Sequence, residues 1–254
     1  MNRRLLSKEQ FVSLVTFHKA HQSAAPLFDK VLKTIIEQKI YAHGNFYYSA
    51  DNTPVTNKMW QFNVASLAID SKEMLVFGFT TGHAVAIALL CNSALKATVI
   101  KDDQLAQSCF DIMQEYFGPE RLALVDKSAM ATLPARFDLV YLDSYPNTPS
   151  IVNQNLHRSM LLAAPFAYLL LTDYQLSPIR ALWDYYTAAG LLLPKLDVFP
   201  FRPSSGSVPI IGVINSTQIG ELHHAYVAMT RALVAHKKQK EQKNHSFFDG
   251  RYLD

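Results

Sequence analysis

Hydrophobic positions along the chain change their period twice. Over the first 70 residues they recur at helical spacing. Ser7 followed by Gln10 forms a capping box. Phe11, Leu14, Val15 and His18 continue it as one stripe. A second stripe runs through Leu27, Val31, Leu32, Ile35 and Ile36. Residues 41–57 keep neither pattern and read as a loop rich in aromatics, Asn and Thr, and a short helix follows near 59–69.

After Ser71 short apolar runs alternate with helical stripes. The runs at 74–78, 97–100, 122–125, 137–142 and 167–172 predict strands. One intervening stripe uses Leu105, Cys109, Ile112, Met113 and Tyr116, and another uses Ile151, Val152, Leu156 and Met160. A third starts at Ser177 and Pro178, an N-cap with proline in the first turn. It continues through Ile179, Leu182 and Tyr186 and stops at Gly190. Buried strands alternating with helices predict an α/β fold, a doubly wound and mostly parallel sheet. Residues 191–199 and 208–214 are strand-like with only a short turn-rich link, so this last pair is expected to be antiparallel. A final helix carries Ile219, Leu222, Tyr226, Met229 and Leu233. The expected organisation is a helical N-terminal extension or cap at 1–70, a Rossmann-like domain at 71–216, and a C-terminal helix with a basic tail at 217–254.

Composition narrows the function classes. Apolar residues make up 49% of the 254, enough for a core without disulfides or metals. Charged residues make up 18%, against a usual ~25%. A disordered chain, an acidic tail protein and a nucleic-acid-coating protein are excluded. The net charge of +3 sits in 236–243, which hold four Lys and one Glu. That stretch reads as a solvated helix end, and no nucleic-acid partner is expected. Cys91 and Cys109 form no CxxC pair and read as buried thiols in a reducing, cytoplasmic setting. The apolar runs 84–91 and 159–171 fall short of the ~20 residues that span a bilayer. No secretory signal is expected, because Lys8 and Glu9 interrupt the N-terminal stretch. The apolar N-terminal helices offer a contact for a homodimer.

In an open α/β sheet the ligand lies beyond the carboxyl ends of the strands, where strand order reverses. The first strand of this sheet runs into Gly78, Phe79, Thr80, Thr81, Gly82 and His83. This is either a glycine-requiring turn or a backbone cradle at a helix N-terminus. The next strand ends in Lys101, Asp102 and Asp103. Asp102 stands at the spacing of a ribose-binding acid, while Asp103 is the better N-cap for a helix from Gln104. Asp143 and Asp173 end later strands and face the same crevice, and carboxylates are costly to bury unpaired. His223 and His224 have no third ligand at metal spacing.

With these residues in place, 73–215 resembles the class I S-adenosylmethionine-dependent methyltransferases, in the small O-methyltransferase branch that includes catechol and macrocin-type enzymes. The matching stretches are MLVFGFTTGHAVAIALL, RLALVDKSAMATLPARFDLVYLDSYPNTPS and LLAAPFAYLLLTDY. The resemblance implies a seven-stranded sheet whose antiparallel last strand is inserted beside the sixth. It implies S-adenosylmethionine as cofactor, held by Gly78, Phe79, Thr80, Gly82 and His83. Asp102 would take the ribose, with Ser128 and Ala129 flanking the adenine. Asp143, Asp173 and Tyr145 would form the catalytic end, facing a small-molecule acceptor. In metal-dependent relatives Asp143 and Asp173 would bind a divalent cation such as Mg. The sequence departs from the family at Val76, where an acid is usual, at Thr80, at Ser128 and at Tyr174. The expected function is O-methylation of a small molecule. The alternative is a methyltransferase-fold binding module with a decayed cofactor site, and a nicotinamide oxidoreductase lacks its glycine fingerprint here. His83 reads as catalytic or as a satisfied helix-end histidine. Phe46, Tyr47 and Tyr48 read as a lid or as edge packing.

Overall fold

A computed structural model describes residues 15–16, 18–20, 22–40, 46–48, 54–56, 58–103, 105–134, 136–144, 147–172, 176–195 and 210–249, with side chains left out at 46–48, 54–56, 58–62 and 240–249. The helices are α1 (Ala25–Glu37), α2 (Lys58–Ala68), α3 (His83–Cys91), α4 (Gln107–Phe117), α5 (Pro149–Leu162), α6 (Ser177–Ala188) and α7 (Leu222–Asp249). The strands are β1 (Phe46–Tyr48), β2 (Pro54–Thr56), β3 (Glu73–Phe77), β4 (Lys96–Ile100), β5 (Leu122–Val125), β6 (Phe137–Leu142), β7 (Ala163–Leu171), β8 (Leu192–Pro194) and β9 (Ile210–Ile214).

Seven strands form one sheet in the order β5-β4-β3-β6-β7-β9-β8. β3 to β7 are parallel, and β9 pairs antiparallel with both β7 and β8. This is the doubly wound sheet that the alternation predicts, and its end pair, β8 and β9, is antiparallel as expected. Strand order reverses between β3 and β6, the point at which open α/β sheets hold their ligands, here called the crevice.

Side chains alternate across the strands into two cores. Met74, Val76, Val99, Tyr141 and Leu170 face one side, together with Leu27, Val31 and Ile35 of α1 and the buried residues of α2, α3 and α4. Leu75, Phe77, Val140, Leu142 and Leu169 face the other, against α5, α6 and α7. Every residue from His83 to Leu89 is buried. A helix apolar on all sides must be covered on all sides. The sheet covers α3 beneath, α2 packs on it, and Phe28 of α1 meets the His83 ring edge-on at 5.3 Å.

Several boundaries differ from the pattern-based expectation. Residues 46–48 and 54–56 pair antiparallel, where the pattern predicts a loop. Helix α4 starts at Gln107 rather than Gln104. The Ala106 amide is drawn to the Thr80 carbonyl at 3.0 Å, and Leu105 N–H bonds Asp102 O ahead of it. Its buried face uses Phe110 and Phe117, which leaves Tyr116 exposed. In α1 Phe28 is buried and Ile36 exposed. Ser177 is the first residue of α6 and Leu176 its N-cap, with Pro178 in the first turn. β7 begins four residues early, and Phe137 pairs with Ala163 but Leu139 with Tyr168. The extra residues form a bulge that includes Phe166 at φ 59°.

The amino end of the sheet is pinned by side chains. Asn92 Nδ2 donates to the carbonyls of Ala68, Ile69 and Ser71 at 2.9, 3.1 and 2.7 Å. Arg121 Nη2 reaches the carbonyls of Leu89 and Asn92, each at 2.7 Å. On the other face Tyr186 donates to Asn153, which donates to Thr230 and so ties α6, α5 and α7. Burial pushes the Tyr186 phenol up and keeps it a donor. The Cys91 and Cys109 thiols are pushed up to about 12 and about 11 by burial, which makes them poor nucleophiles. No helix among the described residues is long and apolar enough to cross a membrane.

Asn92 is the first place to test this packing. Asn92→Ala strips donors from carbonyls at the ends of α2 and should cost about 1–3 kcal/mol. The expected readout is a lower urea midpoint at unchanged slope.

Candidate functional site

The crevice is built from the segments that follow β3, β4 and β6. β3 ends at Phe77, whose carbonyl accepts the Asp143 amide at 2.8 Å. The chain then turns sharply, with φ of 78° at Gly78, 50° at Thr80 and 80° at Gly82. Glycine tolerates this region and threonine only under constraint. The constraint on Thr80 is visible, since its carbonyl accepts the Ala106 amide and ties the glycine loop to the turn after β4. A Cβ on Gly78 would stand 2.7 Å from the Asp143 Cβ, so only glycine lets the two strand ends approach.

Gly82 is the N-cap of α3 and offers no side-chain oxygen to its first amides. The positive end of the helix therefore points at the crevice, a favourable place for a carboxylate. Thr81 beside it is 1% exposed, and among the described residues its Oγ1 has no hydrogen-bond partner. An unmet buried hydroxyl is costly unless a bound group meets it. The Phe79 ring turns away into the core, against Phe110 and the bare face of Gly82. Phe79 is thus placed to contribute its backbone to the loop. His83 is also buried, with its ring against α1.

Asp143 is 4% exposed at the end of β6. Thr172 Oγ1 donates to its Oδ1 at 2.7 Å, and the Tyr141 hydroxyl stands 3.5 Å from Oδ2. Thr172 Oγ1 accepts the Ser144 amide at 3.0 Å, and Ser144 Oγ donates to Thr172 O at 2.9 Å. These bonds staple β6 to β7 at the mouth of the crevice. Asp102 is half-buried at the end of β4, with Ser128 and Ala129 exposed after β5. Tyr145, Asp173 and Tyr174 lie outside the described residues, as do Ser7, Gln10, Phe11, Leu14 and the side chains of 46–48. Val76 lies in the core, fully buried.

The fold therefore brings together the loop 78–82, His83 and Asp143, with Asp102 and Ser128 at the ends of the next two strands. Sequence patterning passed over Thr81, Thr172, Ser144 and Tyr141. Of these only Tyr141 left a signal, standing two residues before Asp143 and so on the same face of a strand. The donor set fits a zwitterionic, ribose-bearing cofactor: an uncapped helix end and an orphaned hydroxyl for the carboxylate, and an acid one strand away. His157, His223 and His224 cluster elsewhere, on α5 and α7. Burial, then His223 and then Arg158, lower the His157 pKa. Among the described residues no group of three His, Cys, Asp or Glu is arranged to hold a metal ion.

Gly82 supplies a direct check on the loop. Gly82→Ala would press a Cβ into the Phe79 ring at a left-handed φ. It should cost more than about 2 kcal/mol, read from the thermal midpoint.

No family model matches the sequence, and no curated protein matches it. Solved structures do. An O-methyltransferase of tomaymycin synthesis from Streptomyces achromogenes, solved with S-adenosylmethionine, has a TM-score of 0.57 at 12% identity. That match covers 75% of this chain and 90% of the other. An O-methyltransferase from Bacillus cereus, solved with S-adenosylhomocysteine, has a TM-score of 0.55 at 12% identity over 75% and 91%. A methyltransferase from Geobacter sulfurreducens has a TM-score of 0.54 at 14% identity over 76% and 90%. The chain has the Rossmann-like fold of the class I S-adenosylmethionine-dependent O-methyltransferases, in a form divergent in sequence.

Proposed function

We propose that the chain is an S-adenosylmethionine-dependent methyltransferase acting on the hydroxyl of a small molecule. The observation that carries this is the strained loop 78–82, with its orphaned Thr81 hydroxyl, facing Asp143 at the reversal point of the sheet. When bound, the cofactor supplies a methyl group activated on a sulfonium. The loop backbone and the start of α3 hold the amino-acid end, Asp102 takes the ribose hydroxyls, and Ser128 and Ala129 flank the adenine. Asp143, with Tyr145 two positions on and Asp173 next to Thr172 in the chain, orients the acceptor hydroxyl and takes its hydrogen bond. Alignment alone is worth about 7–11 kcal/mol in reactions of this kind, so the protein needs little acid–base chemistry.

One observation favours the second reading, a binding module with a decayed cofactor site. The whole stretch 78–82 is buried, and Val76 is a core residue where an acid is usual in the family. The two readings separate in titration calorimetry with S-adenosylhomocysteine. The methyltransferase reading expects one-to-one binding, weakened at least tenfold by Asp102→Ala (about 1.4 kcal/mol). Absence of heat and of any thermal shift at millimolar ligand would contradict it.

A further inference from the structure

We propose that His157 on α5 and His223 on α7 form a pH-sensitive latch. The two helices pack while both rings are neutral, and their seam loosens when the rings take up protons. This goes beyond the methyltransferase reading and does not rest on it.

The seam is antiparallel. Asn153 donates to Thr230 at 3.1 Å, and one turn further along α5 His157 meets Tyr226 and His223, which lie further back along α7. The His157 ring stacks on Tyr226 at a centroid distance of 4.4 Å and faces the His223 ring at 6.4 Å. His224 continues the row, 6.4 Å from His223. His157 is half-buried, and His223 and His224 are exposed. α7 is anchored on the same turns, where Leu222, Ala225 and Met229 enter the core.

The groups around His157 offer no counter-charge. On its own helix Arg158 follows it, with Nη1 buried and without a hydrogen-bond partner among the described residues. α7 adds Arg231, and Glu221 stands exposed just before it. α6 packs on both helices and brings Arg180, Asp184, Tyr185 and Tyr186. Arg180 and Asp184 hold other contacts, and the Tyr186 hydroxyl is bonded to Asn153. β6 brings Tyr141 and Asp138, whose carboxylate takes the Lys72 and Glu73 amides. The charges that act on His157 are those of His223 and Arg158, both of the sign that it would gain.

A proton on His157 thus meets two like charges and a seam that solvates it poorly. The face of Tyr226 favours a cation, but it is one contact against those costs. Burial, His223 and Arg158 together hold His157 below the ordinary histidine value. The folded chain then binds fewer protons than the unfolded one, so stability is full above that value and is lost as pH falls below it.

The test takes the full chain without ligand from about pH 8 to about pH 5.5, across the ordinary histidine range. It reads the thermal midpoint and amide exchange corrected for its intrinsic rate, with α3 as internal reference. In the wild type the midpoint should fall, and residues 222–233 should lose protection relative to α3. His157→Phe keeps a ring on Tyr226 and takes no proton, so its midpoint should fall less, by at least about 2 °C. His223→Glu puts an acid opposite His157 from an exposed position and should abolish the loss in α7. Protection of α7 that holds or rises on acidification of the wild type would overturn the latch. So would a His157→Phe midpoint that falls as far as the wild type's. If that variant does not fold, His223→Glu still decides, because a loss in α7 as large as the wild type's contradicts the proposal.

Discussion

The approach of Gly78 to Asp143 is the constraint on which the crevice depends. β3 and β6 are neighbours and parallel, and from β3 the sheet extends one way through β4 and the other way through β6. Their carboxyl ends converge, and a side chain at residue 78 would collide with the Asp143 backbone and Cβ. Because residue 78 is glycine, the loop folds back at positive φ and delivers α3 with its N-terminus at the mouth of the crevice. Thr80 accepts strain in the same loop, and its carbonyl bond to Ala106 holds the turn after β4 beside it. One close contact thus sets the relative positions of the three segments that the cofactor would touch.

The opposite end of α3 is held as firmly. Asn92 and Arg121 gather the carbonyls at the ends of α2 and α3 and just before β4. Between these ends α3 is buried on every side, so its axis has little freedom. Rigid backbone at both ends is what a site working by alignment requires. The residues that meet the acceptor need not be numerous, and the chain is sparing with charge at 18%. Its strand-end acid Asp143 accepts a hydrogen bond from the Thr172 hydroxyl.

Much of this was legible before the structure. Strands β3 to β6 follow apolar runs that alternate with helical stripes, the pattern of a parallel sheet, and the last two strand-like runs, with no helical stripe between them, read as an antiparallel end. Glycines 78 and 82 and the acids at strand ends marked the crevice, because topology alone brings strand ends together. Helix faces were less legible. The stripe through Tyr116 competed with one through Phe110 and Phe117, and only packing under β4 and α1 decides between them. The start of α4 moved because a tertiary bond from Ala106 to Thr80 outweighed a local N-cap at Asp103. The Thr172 staple was invisible for the same reason: Thr172 and Asp143 are 29 residues apart, and a threonine that ends an apolar run has no local signature.

Amide hydrogen exchange with and without S-adenosylhomocysteine tests the central claim most directly. If the crevice between β3 and β6 is the cofactor site, ligand should slow exchange at 78–85 and 101–106, with α5 to α7 unchanged. No added protection in those two segments, or protection confined to the α5–α7 face, would contradict the account.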